Sequence, residues 1–306
     1  MKKKLCLPLT SRPHRARMQL LIKELHKHFD LDIWEPKERK GDITSNAILY
    51  AIEFNNFLAG KNYDAIILRG DRYEMLGLGM VSAYKGFKVI HIEGGDLSGD
   101  VIDSKVRHAL THLSDYHFAT NKESHQRLVA MGVQPDRVFN FGSLDVEYAS
   151  KVKPKRLRNK KYILVAYHPL ENEDEKELDI ALKEYEWYDI IRIGSNKDTS
   201  KTYGTEEFSP EDYINLMREA TVLVGNSSSL IKEASILGKG VVLVGNRQSR
   251  RFMPHNVVQV PCERDNILKA ILYQMQNKYK KDLTYYQPNT SKKICQLLRK
   301  QLNQSK

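Results

Sequence analysis

Hydrophobic positions along the chain switch repeatedly between a strand-like and a helix-like pattern. Short apolar runs recur at residues 5–9, 65–68, 89–92, 162–166, 189–193, 222–224 and 241–244. Several are continuous rather than alternating, as parallel strands covered on both faces are. Between them, apolar residues at helical spacing predict helices over 18–28, 45–58, 74–84, 104–113, 123–131, 173–184, 210–220 and 229–237. Ser209-Pro210-Glu211-Asp212 reads as a helix start with proline in the first turn, and Gly132 and Gly238 sit where helices end. Repeated strand–helix units predict an α/β fold with right-handed crossovers and mostly parallel sheets.

A chain of 306 residues exceeds one small core. Residues 150–156 are charged, contain Pro154 and show no periodicity, so they read as a linker. The expected organisation is one doubly wound domain over 1–150 and a second over 157–286. Ligands bind such sheets at the carboxyl ends of the strands, and the cleft between two such domains is the expected active site.

Composition narrows the classes of function. No apolar run approaches the ~20 residues of a spanning helix, so no membrane role is expected. The apolar stretch at 5–9 stops at Ser11-Arg12-Pro13-His14-Arg15, too early for a signal peptide, and reads as a first strand. Three cysteines, widely spaced and without a CxxC pair, point to free thiols in a reducing, cytoplasmic setting and away from a zinc site. The net charge of +11 favours anionic partners. The basic residues are dispersed and not interleaved with aromatics, which points away from nucleic acid and towards a phosphate-bearing small molecule.

Five segments carry candidate chemistry. Gly70-Asp71-Arg72 follows the strand at 65–68, where a carboxylate would project into the crevice or simply cap the next helix. His91-Ile92-Glu93-Gly94-Gly95-Asp96 ends the strand at 89–92. There an imidazole and an acid two apart on an extended chain would share a face, a combination suited to proton transfer. Asp103 and Arg107 are four apart and read as a helix-surface ion pair. His168 follows the strand at 162–166, and the acidic run 171–177 behind it reads as a solvated helix start. Most specific is Gly225-Asn226-Ser227-Ser228-Ser229, a polar turn between strand and helix. Its N–H groups and hydroxyls would hold an anion such as a diphosphate. Glu233, one turn into that helix, is placed to accept from ribose hydroxyls. Arg247, after the next strand, would reach the same phosphates.

Taken together and in this order, these segments, with Arg107-His108-Ala109, His168-Pro169 and Gly245-Asn246-Arg247-Gln248, resemble the UDP-N-acetylglucosamine 2-epimerase family. The Glu-Gly-Gly and Asn-Ser-Ser-Ser forms match its hydrolysing branch, that of sialic and legionaminic acid synthesis. The resemblance implies a GT-B-type fold of two Rossmann-like domains, with residues 287–306 as a helix crossing back to the first. It also implies a homo-oligomer (dimer or tetramer), no cofactor and no catalytic metal. The implied reaction is elimination of UDP to a 2-acetamidoglycal, then addition of water to give a free N-acetylmannosamine-type sugar. Asp71, Glu93, Asp103 and His168 fall on catalytic positions. Arg12, His91, Asn226, Ser227, Ser228, Glu233 and Arg247 fall on positions that bind the UDP-linked amino sugar. The chain departs from the family at His14, which replaces an acid, and after Trp34, where a loop over the sugar site is shortened. The competing readings are a GT-B glycosyltransferase, a non-hydrolysing epimerase, and a relative that binds nucleotide sugar or nucleic acid without catalysis.

Overall fold

The computed structural model describes residues 2–99, 102–169, 175–194 and 208–304, the side chains of 12–14 and 304 excepted. In chain order the first elements are β1 (Lys4–Pro8), α1 (Arg12–His28), β2 (Asp30–Trp34), α2 (Ile43–Phe57), β3 (Ala65–Arg69) and α3 (Tyr73–Tyr84). They are followed by β4 (Lys88–Ile92), α4 (Ile102–His112), β5 (Tyr116–Ala119), α5 (Lys122–Ala130), β6 (Val138–Asn140) and α6 (Leu144–Lys151). The remainder are β7 (Tyr162–Ala166), α7 (Glu175–Lys183), β8 (Asp189–Arg192), α8 (Pro210–Glu219), β9 (Val222–Gly225) and α9 (Ser229–Leu237), then β10 (Val241–Val244), β11 (Val257–Val260), α10 (Arg264–Gln276) and α11 (Thr290–Gln304).

Two compact units share these elements. Unit 1 comprises Met1–Leu97, Val101–Glu147 and Tyr286–Lys306; unit 2 comprises Ser98–Asp100 and Tyr148–Tyr285. Ser150 and Lys151, expected in a linker, are instead the last residues of α6. That helix is only eight residues long and ends in lysine, so it leaves little apolar period to read.

Unit 1 holds a sheet of order β2-β1-β3-β4-β5-β6, and unit 2 a sheet of order β11-β10-β9-β7-β8. Every strand pairing in both is parallel. In each unit the first strand lies between the second and the third, so successive crossovers leave it in opposite directions. That divergence opens a crevice at the carboxyl ends, between β1 and β3 in unit 1 and between β7 and β9 in unit 2.

Packing explains why the strand sequences are apolar throughout. Leu5 and Leu7 of β1 and Ile67 of β3 bury against Leu21 and Leu25 of α1 and Ile294 and Leu298 of α11. Cys6, Ile66 and Leu68 point the other way, onto Tyr50 and Phe54 of α2 and Met75 and Leu78 of α3. In unit 2, Ile163 and Val165 of β7 pack on Leu178 of α7 and Ile267 and Ile271 of α10. Cys6, Cys262 and Cys295 are free thiols, and burial pushes the Cys6 thiol up to about 12, leaving it inert. The expected caps are present: the Ser209 hydroxyl accepts from the Asp212 N–H, and Gly238 closes α9 at φ 65°. Among the described residues, no helix is long and apolar enough to cross a membrane.

Candidate active site

In unit 1 the chemistry gathers where β3 and β4 end. Arg69 and Ile92 are register partners on these neighbouring strands, so Asp71 and Glu93, just beyond them, leave adjacent strand ends about 5 Å apart. Gly70 turns the chain at φ 77°. Its N–H donates to the Ile92 carbonyl (2.9 Å) and its carbonyl meets His91 Nε2 (2.9 Å).

Each of the two carboxylates is clamped by an arginine. The Arg107 guanidinium pairs with Asp71 and donates through Nη1 to the Asp96 carbonyl (2.9 Å). It therefore ties the turn after β3 to the loop after β4. Arg107 is buried, so it does not lie on a helix surface as its spacing from Asp103 led one to expect. Arg69 Nη2 donates both to Glu93 Oε1 (3.0 Å) and to Asp145 Oδ1 (2.5 Å). Burial disfavours the charged form of this arginine; the negative charges of Asp145 and Glu93 outweigh it and hold the guanidinium more firmly protonated than usual.

Glu93 is buried and occupies the left-handed region at φ 69°, an uncommon place for a residue with a Cβ. The strand ends at Ile92, so the two-residue alternation expected to align Glu93 with His91 stops one residue short. Gly95 continues the turn at φ 75°, and a Cβ there would lie 2.2 Å from the Ser124 carbonyl oxygen. His91 has no exposed surface and packs its ring 6.0 Å from that of His117. Burial lowers the two to about 4 and about 3, which keeps both neutral near pH 7. His91 thus props the Gly70 turn from beneath. Asp103 sits in the first turn of α4 and is partly exposed. Arg12 opens α1, but its side chain lies outside the described residues.

In unit 2 the corresponding crevice is bridged by Asn226. Its side chain accepts from the His168 N–H (2.7 Å) and donates to the His168 carbonyl (2.8 Å), closing the ends of β7 and β9. Gly225 makes this approach possible, since a Cβ there would stand 2.1 Å from the Ala166 carbonyl oxygen. Ser229 is buried and bonded to Ser227 (2.9 Å) and Tyr213 (2.7 Å), so it braces the turn. Ser227 and Ser228 are partly exposed, and the Ser228 hydroxyl does not cap its own helix. The Asn226 and Ser227 N–H groups donate to the Ala166 carbonyl, and Leu230 and Ile231 donate to the Ser227 and Ser228 carbonyls, so the Ser228 and Ser229 segment of the turn lies at the positive end of the helix dipole. Arg247 Nη1 donates to the Asn226 carbonyl (3.3 Å), which places its guanidinium beside this turn. Glu233 is buried further along α9. In the acidic run, 171–174 lie outside the described residues, and Glu177 accepts from the Arg264 N–H (2.9 Å).

Sequence reasoning passed over Arg69, Asp145 and the inward role of Arg107. One signal was available: β3 reads Ala-Ile-Ile-Leu-Arg, and an arginine closing a fully buried strand needs acidic partners.

A family model described as UDP-N-acetylglucosamine 2-epimerase matches residues 12–299. The chain belongs to the UDP-N-acetylglucosamine 2-epimerase family. It is 30% identical to a UDP-N,N′-diacetylbacillosamine 2-epimerase (hydrolyzing) of Legionella pneumophila, over 80% of this chain and 73% of the relative. It is 29% identical to the polysialic acid biosynthesis protein P7 of Escherichia coli, over 74% of this chain and 66% of the relative, just under two thirds of that protein's length. The crystal structure of UDP-GlcNAc 2-epimerase from Methanocaldococcus jannaschii, in complex with UDP-GlcNAc and UDP, superimposes with a TM-score of 0.83 at 19% identity, covering 97% of this chain and 99% of that one. The epimerase fold, with its two parallel sheets, is therefore the GT-B-type α/β arrangement expected from the sequence.

Proposed function

We propose that this epimerase-family chain hydrolyses a UDP-linked N-acetylated amino sugar with inversion at C2, releasing UDP and a free sugar. One observation carries the reading: Asp71 and Glu93 leave neighbouring strand ends in one unit, each held by its own arginine. Elimination across C1–C2 removes a weakly acidic C–H proton, which calls for an oriented carboxylate base. As that proton leaves, the C1–O bond to the diphosphate breaks and a 2-acetamidoglycal forms. Water then adds its oxygen to C1 while an acid group delivers a proton to the opposite face of C2. Asp71, Glu93 and Asp103 form the acid–base set, and His168 is a further catalytic candidate.

The departing diphosphate needs donors that are in place before charge develops on it. The Ser227–Ser228 turn at the start of α9 and the Arg247 guanidinium supply them, and Asn226 keeps the turn in shape. The same requirement favours UDP as the leaving group over an uncharged one. The hydrolysing outcome is supported by the Legionella relative, whose described reaction is hydrolytic.

Incubation with UDP-N-acetylglucosamine or a 2,4-diacetamido analogue, without any acceptor, tests the reading by NMR. The expected products are UDP and a free 2-epimeric sugar. Accumulation of the C2-epimeric sugar nucleotide, or UDP release only when an acceptor is added, would refute hydrolysis.

A further inference from the structure

We infer that Arg69 is a positioning residue for this reaction: its guanidinium, shared between Glu93 and Asp145, fixes the direction of the Glu93 carboxylate at the end of β4. The inference rests on the reading of Glu93 as an acid–base group. Its geometry is independent of that reading.

Four observations converge on Arg69. It is only 4% exposed, at the end of a strand whose other residues are all buried and apolar. A single nitrogen, Nη2, reaches both carboxylates, at 3.0 and 2.5 Å, whereas Nε and Nη1 are buried without a hydrogen bond to any described residue. An arginine retained for stability would present its fork and satisfy all its donors. Among the described residues, this one is held by the two acids through Nη2. Thirdly, charge alternates along the set: Arg17 lies 3.8 Å from the second oxygen of Asp145, so Arg17, Asp145, Arg69 and Glu93 form a balanced row. A buried ion cluster of this kind stabilises a fold weakly compared with apolar packing of the same volume. Its presence is better explained by what it orients.

The last observation is the backbone. Glu93 at φ 69° is anchored through its N–H to the Phe118 carbonyl (2.8 Å). The turn that follows packs closely on the Ser124 backbone at Gly95, whose carbonyl accepts from Arg127 Nη1 (2.6 Å). The main chain is fixed on both sides, so the direction of the carboxylate depends on what grips it, and the Arg69 contact does so from within the sheet. Asp145 supplies the counter-charge that keeps this arginine buried and ionised. It comes from the start of α6, so one helix dipole end and one strand end meet at the same guanidinium.

Two variants test this. Arg69→Met combined with Asp145→Asn removes the pair with no change in net charge and leaves Glu93 without its cation, and Arg69→Lys keeps the charge but shortens its reach. Both are expected to bind UDP, followed by calorimetry, with wild-type affinity, which verifies folding. In the double variant kcat is expected to fall about 100-fold with KM within about threefold, the signature of a misdirected group and not of lost binding. Arg69→Lys is expected to recover part of that loss. Carbon-13 titration of the glutamate carboxyls should move Glu93 to higher pH in the double variant, because a neighbouring cation has gone. A folded, UDP-binding double variant with kcat within threefold of wild type overturns the inference, as does a Glu93 titration that does not move. Wild-type protein that releases no UDP sinks the proposed reaction instead, and the carbon-13 titration still decides the role of Arg69.

Discussion

Glycine at position 93 would relax the backbone and delete the acid in one step, which makes Glu93→Gln the informative change. Glutamine keeps the shape and still accepts from Arg69, but it takes up no proton. The expected outcome is a loss of kcat of about 10² to 10⁴-fold, with UDP affinity by calorimetry unchanged; a smaller loss would remove Glu93 from the acid–base set. A second residue-scale effect concerns the buried histidines. His91 and His117 are neutral in the folded chain, lowered by burial to about 4 and about 3, and ordinary when unfolded. Between those values and about pH 6.5 the unfolded chain binds the extra protons, so their contribution is complete above pH 6.5 and lost as pH falls. Each contributes a slope of about 1.4 kcal/mol per pH unit in that window. His117→Phe should therefore flatten the fall in unfolding free energy between pH 6.5 and 4.5, measured in denaturant. An unchanged slope would mean that His117 is not neutral in the fold.

Among the elements, the turn between β9 and α9 depends on one missing side chain. Gly225→Ala drives a Cβ to 2.1 Å from the Ala166 carbonyl at φ 139°, and nothing flexible is there to yield. The expected result is a loss of about 2 to 4 kcal/mol in stability and weaker UDP binding, since Asn226 can no longer span His168. Wild-type melting and affinity would show that the turn has slack. The same scale shows what could be read from sequence. β7 and β10 and the helix α9 were legible to the residue because their apolar runs are unbroken and their ends carry glycine or serine. β5, Tyr-His-Phe-Ala, and β6, Val-Phe-Asn, were missed: they are short, and polar His117 and Asn140 interrupt the pattern. α10 was missed as well, with its weak apolar period, although Ile267 and Ile271 bury one face. Asp71, Glu93 and the serine turn could be singled out as candidates in the sequence because each follows a strand. The pairings of the arginines that clamp the carboxylates could not, because Arg107 pairs with Asp71 across 36 positions of sequence and Arg69 with Asp145 across 76.

At the scale of the whole molecule, both units repeat one arrangement, with the first strand between its successors and the polar turns at the carboxyl ends. Unit 1 carries the carboxylates Asp71 and Glu93 there, and unit 2 a serine turn and Arg247 suited to an anion such as a diphosphate. With a net charge of +11, the chain attracts such an anion over distance. UDP affinity should accordingly weaken as ionic strength rises from about 50 to 500 mM, followed by calorimetry; an affinity indifferent to salt would restrict recognition to neutral contacts. The proposed chemistry is read out most directly by running the reaction in D₂O with a UDP-linked amino sugar and locating deuterium by NMR. Proton abstraction followed by hydration puts one deuterium at C2 of a released free sugar of inverted configuration, with UDP formed in equal amount. A free sugar that keeps its C2 hydrogen and its configuration would contradict elimination and leave only cleavage of the glycosyl phosphate.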